Sequence, residues 1–207
     1  MANFEPGIAH GTSIILDTSV VINLHASGHG EEVLAALPFR LTVPGIVSDE
    51  LDRQSSRSSG ERDFFALACR LGLIERIEMT DNEYQMFTKL VVVAPSLDDG
   101  EAATIAIARS REFVPVIDER KGRARALAIM GQQSPAWSLN LIRHPTVVSK
   151  LGEHAATEAL FNALYRGRMR IAPDHADQVI SVIGLEQARK CTCLPGYKER
   201  FQILSVQ

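Results

Sequence analysis

Cysteine is scarce in this chain: Cys69, Cys191 and Cys193 are the only three in 207 residues. An odd, sparse set excludes a disulfide-stapled secreted scaffold and suits a reducing compartment. Long apolar runs are missing as well, and no segment reaches the ~20 apolar residues needed to span a bilayer. The opening stretch MANFEPGIAHGTS lacks the basic start and apolar centre of an export signal. The expected setting is therefore the cytoplasm, with no membrane association. Excess positive charge is also lacking: 22 Lys and Arg against 25 Asp and Glu leave a formal charge of -3. Without a global field to attract a polyanion, any contact with nucleic acid has to come from local patches. What is present is an ordinary globular composition, 45% hydrophobic and 23% charged, which excludes a disordered, collagen-like or coiled-coil chain. Folding at this length removes roughly 70% of the accessible surface, enough for a full core without staples.

The segment SIILD at 13–17 is an apolar, β-branched run that stops on an acid, the pattern of a buried parallel strand. FVPVID at 113–118 repeats it, and shorter apolar stretches at 39–43 and 74–78 predict two more strands. Helical spacing separates them, most strongly in the Ala/Ile-rich EAATIAIARSR that begins at Glu101. Strands alternating with helices at this spacing make βαβ units, hence a parallel sheet covered on both faces. Right-handed crossovers place every strand's carboxyl end on one edge. The polar stretch RQSSRSSGER at 53–62 predicts a mobile loop. Beyond Pro135 the strands cease, and helices are expected at 137–144, 147–151, 154–165 and 174–185. The expected organisation is a main domain over 1–150 with a helical extension over 151–207 packed on it.

Open parallel sheets bind ligands outside the carboxyl ends of their strands, and that is where this sequence gathers acids. Asp17 ends one strand and Asp118 another, with Glu119 beside it; Glu50 follows the second strand and Glu101 opens the Ala-rich helix. Converging carboxylates repel one another and raise their own pKa values unless a cation holds them ionised. Oxygen donors with no His or Cys at ligand spacing favour Mg²⁺ or Mn²⁺ over zinc. Such an ion activates water and neutralises a phosphodiester, so the implied reaction is phosphodiester hydrolysis. Taken singly, each acid also reads as a helix cap or a solvated first-turn residue; the set carries the functional reading. Spacing excludes two acidic rivals. A DxSxS adhesion site needs serine where Val21 stands, and a haloacid-dehalogenase phosphatase needs a second aspartate where Ser19 stands.

In that order, ILDTSVVINL, VPGIVSDEL, DDGEAATIAIA and VIDERKGRARALAIMG resemble the motifs of the PIN-domain family, over roughly residues 12–150. The resemblance implies a three-layer α/β/α sandwich with a central parallel sheet and a Mg²⁺- or Mn²⁺-dependent endoribonuclease acting on single-stranded RNA. Small bacterial members of the family include VapC-type toxins, which implies an antitoxin partner and a homodimer. Catalysis and metal binding map onto Asp17, Glu50, Glu101 and Asp118. Asp98 and Asp99 crowd the turn before Glu101, and Glu119 competes with Asp118 as the fourth ligand. Ser19 matches a hydroxyl often found near the first acid, where it would position water or phosphate. Arg120 and Arg123, with Lys121 and Arg125, flank Asp118, while Arg53, Arg57 and Arg62 decorate the polar stretch; both groups would hold RNA phosphates. Arg166, Arg168 and Arg170 read as ordinary surface, Cys191 and Cys193 as reduced thiols, and the six histidines as structural. Leu139, Leu141, Ile142, Leu160, Phe161 and Leu164 are more apolar cover than one sheet face needs, a further ground for a dimer. Two other readings stand beside the ribonuclease: a non-catalytic RNA-binding or scaffold module, and a DNA-directed nuclease.

Overall fold

The computed structural model describes residues 4, 8–54, 60–93, 97–131 and 134–201. Four parallel strands, β1 (Ser13–Leu16), β2 (Arg40–Pro44), β3 (Glu75–Ile77) and β4 (Val114–Val116), form one sheet in the order β3-β2-β1-β4. Ile14 is opposite Leu41 on one side and Val114 on the other. The chain therefore steps outward from β1 to β3, then returns to the far side of β1, and the reversal opens a crevice between the carboxyl ends of β1 and β4. Pro115 lies within β4, which proline tolerates because this is an edge strand. The free edge is partly covered, since Ile117 donates to Ala136 O (2.9 Å) and Ala136 to Pro115 O (2.9 Å).

Helices fill both faces, giving the expected α/β/α sandwich. They are α1 (Thr18–Ala26), α2 (Gly30–Ala36), α3 (Gly45–Gln54), α4 (Glu61–Arg70), α5 (Asp81–Val93), α6 (Asp99–Arg111), α7 (Arg120–Met130), α8 (Ser138–Ile142), α9 (Pro145–Leu151), α10 (Glu153–Tyr165), α11 (Ala176–Ile183), α12 (Leu185–Ala188) and α13 (Tyr197–Phe201). The two-residue period of β1 divides the core: Ile14 and Leu16 join Val20 and Leu24 of α1, while Ile15 packs with Ile107 of α6 on the opposite face. Ala159, Leu160, Val179, Ala188 and Leu194 belong to the same cluster as Ile14. Leu139, Leu141, Ile142, Leu160 and Leu164 are each at most 1% exposed, so these side chains are consumed inside one chain and give no ground for a dimer.

Several boundaries differ from the sequence reading. In the stretch read as a loop, Arg53 and Gln54 complete α3, and Glu61 and Arg62 open α4; residues 55–59, with Arg57, lie outside the described residues. The helix expected over 174–185 is cut into a 3₁₀ turn, α11 and α12. Gly184, at φ 82°, ends α11 in a conformation that only glycine adopts cheaply. Helix α5 continues through Val91–Val93 rather than ending at Leu90. Residues 94–96 also lie outside the described residues.

An ion pair between a buried carboxylate and a partly exposed arginine locks α6 to α5. Glu83, with 1% of its side chain exposed, accepts from Arg111 Nε (2.7 Å) and Nη2 (2.8 Å) and from Thr80 N (2.7 Å). The guanidinium holds the Glu83 carboxyl at about 2. Because that value lies below the unfolded one, the stabilisation is present above the ordinary carboxyl range and is lost as the pH falls toward 2. Arg111→Met should cost about 3 kcal/mol at pH 7, since a buried carboxylate is left unpaired. Urea titrations at pH 7 and pH 4 check this: the variant's loss relative to the parent should be smaller at pH 4, where the Glu83 carboxyl left without its guanidinium can take up a proton.

Candidate active site

The crevice between β1 and β4 is where the acids meet. Asp17 leaves β1 in an extended conformation and its N–H donates to Val116 O (3.1 Å), joining the two strand ends. One carboxylate oxygen, Oδ2, accepts from Ser19 Oγ (2.7 Å); the other, Oδ1, is buried and has no hydrogen-bond partner. Glu50, on α3, accepts from the Thr18 hydroxyl and, through Oε1, from Gly100 N (3.0 Å). Glu101 closes a capping box at the start of α6: Asp98 Oδ1 accepts from Glu101 N (2.7 Å) and Glu101 Oε2 from Asp98 N (3.4 Å). Its remaining oxygen, Oε1, is buried without a partner.

Two glycines make this convergence possible. A Cβ on Gly100 would lie 2.7 Å from Thr18 Oγ1, 2.8 Å from Glu50 Oε2 and 2.9 Å from Asp17 Oδ1, and a Cβ on Gly122 would collide with the Glu101 carboxylate. Backbone approaches carboxylate at both points, and any side chain would fill the space.

The electrostatics record the crowding. Burial, then repulsion from Asp98, pushes the Asp17 carboxyl well above its ordinary range. Glu50 is raised first by burial and then by Asp98, against the pull of the Thr18 hydrogen bond. Glu101 is raised to about 7, by burial, by Asp98, and further by Glu119 and Glu50. Asp98 is thus the neighbour common to all three acids. The sequence signal for it is an aspartate three residues before a glutamate at a helix start. Among the described residues no three His, Cys, Asp or Glu stand ready-made to hold an ion; Glu50 and Asp98 spend oxygens on Thr18, Gly100 and Glu101. The donor set nevertheless suits a hard divalent cation. It is all oxygen, and two buried carboxylate oxygens lack any donor, a condition that a cation relieves.

The fourth-acid pair divides by environment. Asp118 is 2% exposed, and both its oxygens are engaged: Oδ1 accepts from Ser138 N (2.8 Å), Oδ2 from Ser138 Oγ (2.6 Å) and from Asn23 Nδ2. Burial raises its pKa, and these donors and Arg123 oppose the rise. Glu119 is instead partly open. It pairs with Arg170 Nε (2.9 Å) and, with Asp98, Glu101, Arg120, Lys121 and Arg170, lines a cavity of about 400 Å³. A second cavity of about 490 Å³ adjoins it, bounded by Ser19, Asn23, Asp118, Glu119, Arg168 and Arg170. Arg123, expected at substrate, donates to the Ile117 and Asp118 carbonyls and lies 4.6 Å above the Trp137 ring. It braces the strand end, whereas Arg120 faces the open cavity. The Arg53 side chain lies outside the described residues. Sequence reasoning missed Thr18, Asn23 and Ser138, whose partners are far away in the chain. Only Asn23, a polar residue amid the apolar positions of α1, carried a local signal.

A family model described as a PIN domain, DUF3368, matches residues 13–185. No curated protein matches the chain, and no solved structure does.

Proposed function

The chain belongs to the PIN-domain family, and from that premise we propose that it is a Mg²⁺- or Mn²⁺-dependent endoribonuclease that hydrolyses phosphodiester bonds of single-stranded RNA. PIN domains are typically nucleases and generally use divalent metals. The observation that carries the finer reading is the pair of orphaned oxygens, Asp17 Oδ1 and Glu101 Oε1, buried among mutually repelling acids. Asp17, Glu50, Glu101 and Glu119 are the residues we assign to the metal, with Asp118 as the buried acid that fixes the strand end through Ser138 and Asn23. When bound, the ion supplies a lowered pKa for water and neutralises charge on the phosphodiester. Ser19 holds the orientation of Asp17 by donating to Oδ2, and Arg120 meets phosphate from the first turn of α7. Arg123 serves indirectly, by keeping the carbonyls of Ile117 and Asp118 in place.

The proposed physiological role is that of a toxin-like nuclease in the cytoplasm, restrained by a small antitoxin protein. A homodimer is proposed on family likeness alone. No helix among the described residues is long and apolar enough to cross a membrane. We assign the nuclease domain to residues 1–150 and treat 151–207 as a helical extension on it.

The test is cleavage of matched single-stranded RNA and DNA oligonucleotides with Mg²⁺, with Mn²⁺ and with chelator. Metal-dependent cutting of RNA and sparing of DNA is the expected result. Cutting of DNA alone would replace the substrate assignment, and binding of RNA without cutting in either metal would make the chain a non-catalytic module.

A further inference from the structure

The sequence YRGRMR, residues 165–170, reads as ordinary surface, yet the fold carries it to the crevice. After α10 ends, Met169 is 1% exposed and its N–H donates to Ala163 O (3.0 Å), so the segment is nailed into the core between its arginines. Gly167 lies flat on α1: a Cβ there would come within 2.6 Å of Asn23 Oδ1 and 3.0 Å of Ala26 Cβ. Asn23 is the same side chain that holds Asp118. Arg168 and Arg170, on either side of the buried methionine, border the 490 Å³ cavity together with Ser19, Asp118 and Glu119.

Three further facts distinguish this segment from a solvated basic tail. Arg168 adopts φ 55°, a left-handed conformation that is costly for a side chain with a Cβ. Strain of this kind persists only where the surroundings impose it, and it clusters at functional sites. Arg168 is exposed, and no carboxylate among the described residues pairs with it. Arg170, 67% exposed, rests its guanidinium on Glu119, the partly open acid of the site. A cavity walled by carboxylates on one side and by two arginines of a pinned segment on the other is matched to a phosphodiester chain, with the reacting phosphate on the acid side and a neighbouring one on the basic side.

Building on the nuclease reading above, we propose that Arg168 and Arg170 form a subsite for a backbone phosphate next to the scissile one, and so set how the RNA strand lies across the acids. Arg168 offers a free guanidinium, and Arg170 shifts from Glu119 to the phosphate when the strand arrives.

Salt-dependent binding reads this directly. For a single strand, removing one cation that neutralises a phosphate lowers the slope of log affinity against log salt by about 0.7. The full-length protein, with metal removed by chelator, is titrated against a fluorescent single-stranded RNA. Arg168→Asn should lower the slope by about 0.7 and the Arg168→Asn/Arg170→Gln double variant by about 1.4. Arg168→Lys should hold the parental slope, as should Arg166→Gln, whose side chain faces a different cavity. Asparagine tolerates the left-handed conformation, so Arg168→Asn should melt no lower than the parent; a weaker binder that is equally stable separates a phosphate-binding role from a structural one. If the parent cuts RNA and the double variant keeps its slope, the subsite is overturned and the nuclease stands. If the parent neither binds nor cuts RNA, both fall together.

Discussion

Asp17→Asn is expected to slow cleavage of single-stranded RNA by about 10³-fold, the scale of losing a group that positions charge at the reacting centre, while raising the melting temperature of the metal-free protein. The two effects have one cause. Asp17 is 1% exposed, and its Oδ1 meets no donor, so the ionised side chain costs stability whenever no cation is bound. Its folded pKa lies well above the ordinary carboxyl value. The native state therefore binds more protons than the unfolded chain between those two values, and stability falls as the pH rises through that window. Asparagine keeps the shape and removes the titration, so the variant's stability should vary less with pH there. Melting curves from pH 4 to 8 and initial cleavage rates in Mg²⁺ check both. A folded variant that cuts at the parental rate would remove Asp17 from the site.

Mn²⁺ should raise the melting temperature of the parent by about 5–10 °C when its concentration is a hundredfold above its dissociation constant. A ligand of the native state contributes ~2.7 kcal/mol at that excess, and a chain of this size shifts by about 2–4 °C per kcal/mol. Protons compete for the same oxygens. With the Glu101 carboxyl at about 7, the metal-induced shift measured at one fixed Mn²⁺ concentration should be large at pH 8 and shrink at pH 6. Glu101→Gln should reduce the shift and flatten its pH dependence. Identical melting curves with and without millimolar Mn²⁺, in parent and variant alike, would overturn the shared cation site.

The strands were readable because a parallel strand buried on both faces is apolar throughout, as in Ile14, Ile15 and Leu16, and each of the two clearest runs ended on an acid. The ends of α3 and α4 were not. Their residues around 53–62 are polar on every side, and periodicity has nothing to register there. Gly184 was visible in the sequence but not its left-handed conformation, and the apolar spacing of α11 continues past it into α12. In the site, acids that follow strand ends or open a helix could be singled out from local pattern alone. The difference between Asp118 and Glu119 could not, because it is made by Ser138 twenty residues later and by Asn23 on another helix. Arg168 and Arg170 were opaque for the same reason: their meaning lies in Gly167 touching α1.

The pairing of β1 with β4 also sets a clock on synthesis. Asp17 and Asp118 sit about a hundred positions apart, and translation at ~5–20 residues per second leaves on the order of ten seconds between their appearance. Throughout that interval the first strand has β2 on one side but lacks β4 on the other, and Glu101, Glu119 and the Ser138 that anchors the β4 end have not all been made. For the ribonuclease proposed above, a centre drawn from segments between Asp17 and Ser138 would leave the growing chain harmless to its own message until the last of them has left the ribosome.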